Sequence, residues 1–236
     1  MYMVDYRKLR PGNITSPEYK HLLLLLYWPA YGLTFLILER VLTLTYHPIE
    51  AAFDSKIPFC EFFVFPYYFW FVFLLGIHLY TGFFDVPAFK KLMYFIIITY
   101  TITTVIYLIY PNKQELRPTE FERDNFCVAI VKMLYAFDTN TNVCPSLHVI
   151  GSFAVLFTSW YCDRFKTFWW QLFFIPATVL ISISTVFLKQ HSIIDIWVAL
   201  IVCAVSFPFA YILPDVISKR HKKAANAVNK KALTTE

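Results

Sequence analysis

Two polar islands in an otherwise apolar chain carry the residues able to do chemistry. The first is Asn142–Val149, NVCPSLHV. A proline suits the first turn of a helix, because its fixed φ is already helical and its missing N–H is no loss there. Pro145 is therefore expected to open a helix, with Ser146, Leu147 and His148 in its first turn. Amides of a first turn have no intrahelical acceptor, and the positive end of the helix dipole lies among them. Such an end binds anions, and here a hydroxyl and an imidazole stand on it. The second island is Lys189-Gln190-His191, followed by Asp195. His191 and Asp195 are i and i+4, so on a helix they share a face and the carboxylate can orient the imidazole. Two histidines, one carboxylate and an anion-binding turn point to phosphoryl transfer without a metal or other cofactor.

The elements that must position these groups are membrane helices. Of 236 residues 58% are hydrophobic and only 16% charged, whereas a soluble domain carries about 25% charged residues. An apolar run of about 20 residues spans a bilayer. Six such runs are expected, near His21–Leu44, Phe62–Phe84, Leu92–Tyr110, the PSLH turn to Cys162, Phe168–Leu188 and Ser192–Leu213. The predicted fold class is an all-α integral membrane protein, a six-helix bundle over residues 21–213. A polar tail of residues 1–20 precedes it and a basic tail, 214–236, follows. Met1–Lys20 has no apolar core, so a cleavable signal peptide is not expected and the first span acts as the insertion signal. In the longest connection, Pro111–Cys144, the residues Phe126, Ala129, Ile130, Met133, Leu134 and Phe137 recur at helical spacing. They predict a short amphipathic helix at the interface, packed on the bundle or serving as a lid.

Lysine and arginine set the orientation. Most of the 21 lie in the two tails and the loops holding Lys90, Lys91, Arg164 and Lys166. Both termini are thus expected in the cytoplasm, and both islands on the opposite face, in the plasma membrane. The net charge of +5 is accounted for by this asymmetry and does not call for nucleic acid. Five irregularly spaced cysteines predict neither zinc nor a disulfide framework. Asp138–Asn142 begins like a calcium loop, but Val143 and Val149 stand where the glycine and closing glutamate belong. His21, His47, His78 and His221 have no partner at telling spacing and are read as core or interfacial residues.

The islands resemble the type 2 phosphatidic acid phosphatase superfamily. Pro145, Ser146 and His148 match its Pro-Ser-Gly-His block, while Ser184, His191 and Asp195 match its Ser-Arg, five residues, His, three residues, Asp block. Leu147 is similar to the inositol-phosphorylceramide-synthase-like branch. The resemblance makes His191 the nucleophile, Asp195 its orienting partner and His148 the acid for the leaving group. Arg117-Pro118 is similar to the end of the family's first block, and implies a phosphate contact with Ser146 and Ser184. Thr185 replaces the family's arginine, which removes one bidentate donor; Lys189 is the candidate to supply the missing charge.

Taken singly, Ser146 and His148 would serve as caps, and His191 and Asp195 as a structural pair. Ionisable residues entering a span are costly, however, and mark function. The expected activity is hydrolysis of a lipid phosphate or phospholipid drawn from the surrounding membrane lipids, through a phosphohistidine. A phosphotransferase moving a headgroup onto a lipid alcohol is the alternative. A transporter or haem protein using His148 and His191 as ligands would leave Asp195 and the anion turn without a role.

Overall fold

The computed structural model describes residues 4–42 and 45–220. It is mostly helical, with helices α1 (Tyr27–Arg40), α2 (Val64–Phe84), α3 (Val86–Ile109), α4 (Phe126–Phe137), α5 (Leu147–Tyr161), α6 (Phe168–Phe187) and α7 (Ile193–Phe207). Among the described residues, five stretches are long and apolar enough to cross a membrane: Lys20–Arg40, Glu61–Phe84, Val86–Ile109, Phe168–Phe187 and Ile193–Arg220.

The sixth expected run is shorter. α5 has 15 residues, about 22 Å at 1.5 Å per residue, against a hydrocarbon core of about 30 Å. It is the hub of the bundle, packed on α2, α3, α6 and α7, and Val149, Ile150, Gly151, Ser152, Ala154 and Val155 are all buried. Small residues let backbones come close where lipid supplies no hydrophobic drive. At Gly151 the approach is absolute, since an added Cβ would lie 2.7 Å from Trp70 Nε1.

Other boundaries shift for local reasons. The first span opens with a 3₁₀ stretch, Lys20–Leu26, before α1; its expected end at Thr43 and Leu44 lies outside the described residues. α3 begins six residues before Leu92, because Asp85 caps it by accepting from the Ala88 N–H at 3.1 Å and Pro87 sits in its first turn. Lys90 and Lys91 are therefore helical, not in a loop. The last helix runs past the expected boundary at Leu213 to Arg220, through a π turn at Pro208–Ile212 where the proline cannot donate. His221 and the tail lysines Lys222, Lys223, Lys230 and Lys231 lie outside the described residues.

The bundle has two unlike ends. At one, Tyr6 donates to the Gly82 carbonyl and pairs with His21 Nε2 at 2.8 Å, while Lys91 Nζ reaches the Tyr211 carbonyl at 2.7 Å and Asp215 at 2.8 Å. At the other, loops are laced together by a parallel two-residue pairing of β1 (His47–Pro48) with β2 (Asn112–Lys113), and His47 stacks on Tyr110 at 4.5 Å. α4, a helix over the residues whose spacing predicts one, lies at this end, capped by Asn125, which accepts from Val128 N–H at 3.0 Å. Its Val131 and Leu134 pack with Val64, Tyr67 and Leu188, and Phe126, Met133 and Phe137 are exposed.

Candidate active site

The PSLH turn is built by one asparagine. Asn112 Oδ1 accepts from the N–H groups of Val143 (2.9 Å) and Cys144 (2.8 Å), and its Nδ2 donates to the Cys144 carbonyl at 2.9 Å. Tyr107 adds a hydroxyl bond to the Pro145 carbonyl, 2.9 Å. Upstream, Glu39 at the end of α1 accepts from the hydroxyls of Thr139 and Thr141 and from Asn142 Nδ2. With its backbone held from below, the chain enters α5 two residues later than expected. Ser146 is the N-cap, Leu147 the first helical residue, and Pro145 precedes the cap. The Ser146 hydroxyl makes no capping bond.

The second island is also refined. His191 does not share a helical face with Asp195, because α7 starts at Ile193 with Ser192 as N-cap. Asp195 is the third residue of a capping box: its Oδ2 accepts from Ser192 N–H at 3.1 Å and from His191 Nδ1 at 2.9 Å. The expected pairing thus arises from an N-terminal box in which the carboxylate reaches backward. The Nδ1–H is committed to Asp195, so the Nε2 lone pair is the one presented. Ser146 N–H donates to the Asp195 carbonyl at 3.3 Å, joining the two islands through their backbones.

Asp54, which carried no signal in the sequence, holds the start of α7. One oxygen accepts from Ser192 Oγ (2.6 Å) and Ala51 N–H (2.7 Å), the other from Ile193 N–H (2.9 Å), and the residue is buried.

The two histidines meet across a cavity of about 320 Å³, with ring centroids 6.3 Å apart. His148 is sandwiched by Tyr67 (4.1 Å) and tilted against Trp70 (4.5 Å). Tyr67, Asp138, Asn142 and Gln190 line the same space. Buried polar atoms normally have partners, yet Asn142 Oδ1, Ser146 Oγ, His148 Nε2 and Gln190 Nε2 have none. Asn142, His148 and Gln190 line the cavity itself, and Ser146 is two residues from His148 at the start of α5. Asp138, which follows α4, has its pKa raised, chiefly by burial, with His191 and Arg117 pulling it the other way.

Three residues expected on the phosphate are placed otherwise. Lys189 Nζ donates to the carbonyls of Asp54 (2.7 Å) and Ile57 (2.5 Å). Its backbone is left-handed at φ 53°, the turn that ends α6 with Gln190 N–H on the Thr185 carbonyl. Its charge therefore fastens the loop before His191 and does not line the cavity. Ser184 Oγ bonds back to the Ile181 carbonyl at 2.6 Å, and Thr185 Oγ1 likewise to Ser182. The guanidinium of Arg117 is near, but its two terminal nitrogens are occupied: they donate to the carbonyls of Tyr135, Asp138 and Thr139 and to Gln190 Oε1, the group stacked on Tyr135 and its Nε–H alone left without a partner. It reaches the cavity through Gln190.

Several membrane-length helices, with a polar cluster buried at one end, define an integral membrane protein. Residues 88–218 match the model of the PAP2 superfamily, and the chain belongs to that superfamily. Membership points to phosphatase or phosphotransferase chemistry on lipid phosphates. Comparison with curated proteins and with solved structures finds no match. The match takes in both islands but not Glu39, Asp54 or Tyr67, which come from the preceding part of the chain.

Proposed function

We propose that the protein is a membrane-embedded lipid phosphatase working through a phosphohistidine. The observation that carries this is the cluster of unpaired buried polar atoms around two facing histidines, one of them oriented by Asp195. His191 Nε2 attacks phosphorus and takes the phosphoryl group as the lipid alkoxide departs. His148 Nε2 gives that alkoxide its proton, a step worth about 10²–10⁴ in rate. Neutral again, His148 then accepts a proton from the water that cleaves the P–N bond. Ser146 and the amides at the start of α5 hold the non-reacting oxygens, and Arg117 steadies them through Gln190. Lys189 and Ser184 support the backbone of the site and do not touch the phosphate.

In this reading α5 completes a sixth crossing and α4 lies on the interface beside the cavity. The basic end of the bundle faces the cytoplasm with both termini, and the site faces outward at the plasma membrane. No metal takes part, so turnover persists in excess chelator.

A second reading, transfer of a phospho-headgroup to a lipid alcohol, has one observation in its favour beyond Leu147. Arg117 and Lys189 are spent on carbonyl oxygens, and the Asp138 carboxylate lines the cavity. A phosphodiester with its single charge is easier to hold there than a doubly charged monoester.

The test is acid-quench trapping with lipid labelled at phosphorus. Wild type should yield labelled phosphohistidine and His191→Ala none. Labelled enzyme in His191→Ala would overturn the assignment. Release of inorganic phosphate identifies the hydrolase; appearance of label in a second lipid identifies the transferase.

A further inference from the structure

A cavity larger than the one at the histidines lies elsewhere in the described chain. It is a groove of about 770 Å³ between the first span and α2, with Leu22, Leu25 and Trp28 on one side and Leu75, Leu79 and Phe83 on the other. Trp28, Trp70 and Phe71 line both this groove and the catalytic cavity, so the two spaces adjoin across these three rings. Trp70 is the ring that rests against His148. From Trp70 to Phe83, α2 rises about 20 Å at 1.5 Å per residue, more than the roughly 15 Å that one leaflet contributes to the hydrocarbon core. The far end is shut by the N-terminal segment, where Tyr6 bonds the Gly82 carbonyl and His21 and packs edge-on against Phe83. Leu75, Leu79 and Phe83 are half-exposed, so the groove opens sideways for entry from the bilayer.

We propose that this groove holds one hydrocarbon tail of the lipid whose phosphate sits between His148 and His191. The assignment rests on the catalytic reading above. A phosphate seated at His148 places the first methylenes of its lipid on Trp70 and Phe71, and the groove then leads the tail along α2 to a closed end. A tail moving from bilayer to groove exchanges one apolar environment for another, so burial itself contributes little. Selection comes from contact along the walls: a tail that fills the groove keeps its dispersion contacts and one that stops short forfeits them.

The test has two arms. Lipid phosphates carrying a photoreactive diazirine near the phosphate or near the tail terminus are incorporated into vesicles with the full-length His191→Ala protein, which does not turn over. Proximal probes should label Trp70 and Phe71, and distal probes Leu79 and Phe83. Equal labelling of outward-facing Ile201 and Val205 would show ordinary bilayer contact and overturn the proposal. In the second arm, Leu79→Trp should lower the long-tail to short-tail ratio of kcat/KM on the order of 10-fold, within the range that overpacking an apolar site costs. An unchanged ratio would also overturn it. If the enzyme forms no phosphohistidine but the labelling pattern holds, the catalytic reading fails and the groove stands. If it turns over without that pattern, the groove alone fails.

Discussion

Replacing Asp54 by asparagine isolates the contribution of a residue that touches neither histidine yet sets where one of them stands. The carboxylate accepts three hydrogen bonds, from Ser192 Oγ, Ala51 N–H and Ile193 N–H. Asparagine keeps the shape and one acceptor oxygen, which can still serve Ile193. Its amide nitrogen then faces Ser192 and Ala51. The hydroxyl can rotate and accept, but the Ala51 N–H cannot, and a buried donor is left against a donor. Losing the Ala51 bond to a charged acceptor and leaving that N–H buried and unsatisfied places the cost on the order of 1.5–3 kcal/mol. Ser192 is the N-cap of α7 and the neighbour of His191, so the same change lets the nucleophile wander, and a displacement of about 1 Å costs roughly 100-fold. Asp54→Asn should lower the thermal unfolding midpoint in detergent and cut kcat by about 10- to 100-fold, with KM less affected and the pH profile of kcat keeping its shape. Ser192→Ala, which removes the hydroxyl's bond to Asp54 and the cap bond it accepts from Ile194 N–H, about 1 kcal/mol for the cap, leaves Asp54 its two backbone donors and should be milder in both. Wild-type stability and kcat in Asp54→Asn would refute the argument that this carboxylate holds the site.

Two further substitutions test the loops. Lys189→Ala should lose stability, on the order of 1.5–3 kcal/mol for a charge-assisted anchor, while leaving vanadate inhibition unchanged; weakened inhibition at full stability would return the lysine to the phosphate. Glu39→Ala frees Thr139, Thr141 and Asn142 together, so limited proteolysis should cut the 138–142 segment faster and KM should rise, and an unaltered cleavage rate would show that the segment is held from elsewhere.

That the two islands come together was legible because each is a short spacing of polar residues in an apolar chain: Ser146 to His148, and His191 to Asp195. The spans were legible because lipid demands long apolar runs. Even so, the reason given for His191 and Asp195 was wrong in detail. A capping box and an i, i+4 face pair use the same spacing, and only the helix start at Ile193 separates them. The placement of Lys189 was hidden for a related reason: its sequence position beside His191 is fixed, but the direction of a long flexible side chain is decided by which carbonyls lie within reach, here those of Asp54 and Ile57. Asp54, Glu39 and Asn112 gave no signal, since each is a lone polar residue whose partners are distant in sequence. The shortness of α5 was hidden because hydropathy does not tell a helix sheathed by four others from one that faces lipid along its length.

Asp138 joins the electrostatics of the cavity to the stability of the fold. Burial raises its pKa, against the opposing pull of His191 and Arg117; Tyr67 OH lies 3.4 Å from its Oδ2, and Glu39 adds negative charge nearby. A raised native pKa means that the folded protein keeps a proton the unfolded chain has released. Stability is therefore greatest below the ordinary carboxylate range and falls as pH climbs from the unfolded value through the higher native one, above which the cost is constant. Asp138→Asn removes the ionisation and keeps the backbone carbonyl that Arg117 uses. The variant should be more stable than wild type at neutral pH, with the difference closing as pH falls through the carboxylate range. The same deletion takes a negative charge off the wall facing the phosphate. Two unit charges about 6 Å apart repel by about 3 kcal/mol at an effective dielectric of about 20. Inorganic phosphate and vanadate should thus bind Asp138→Asn more tightly, by an amount that grows with the charge of the ligand. If stability rises but anion affinity does not, Asp138 is turned from the phosphate, and the case for a singly charged substrate built on it falls.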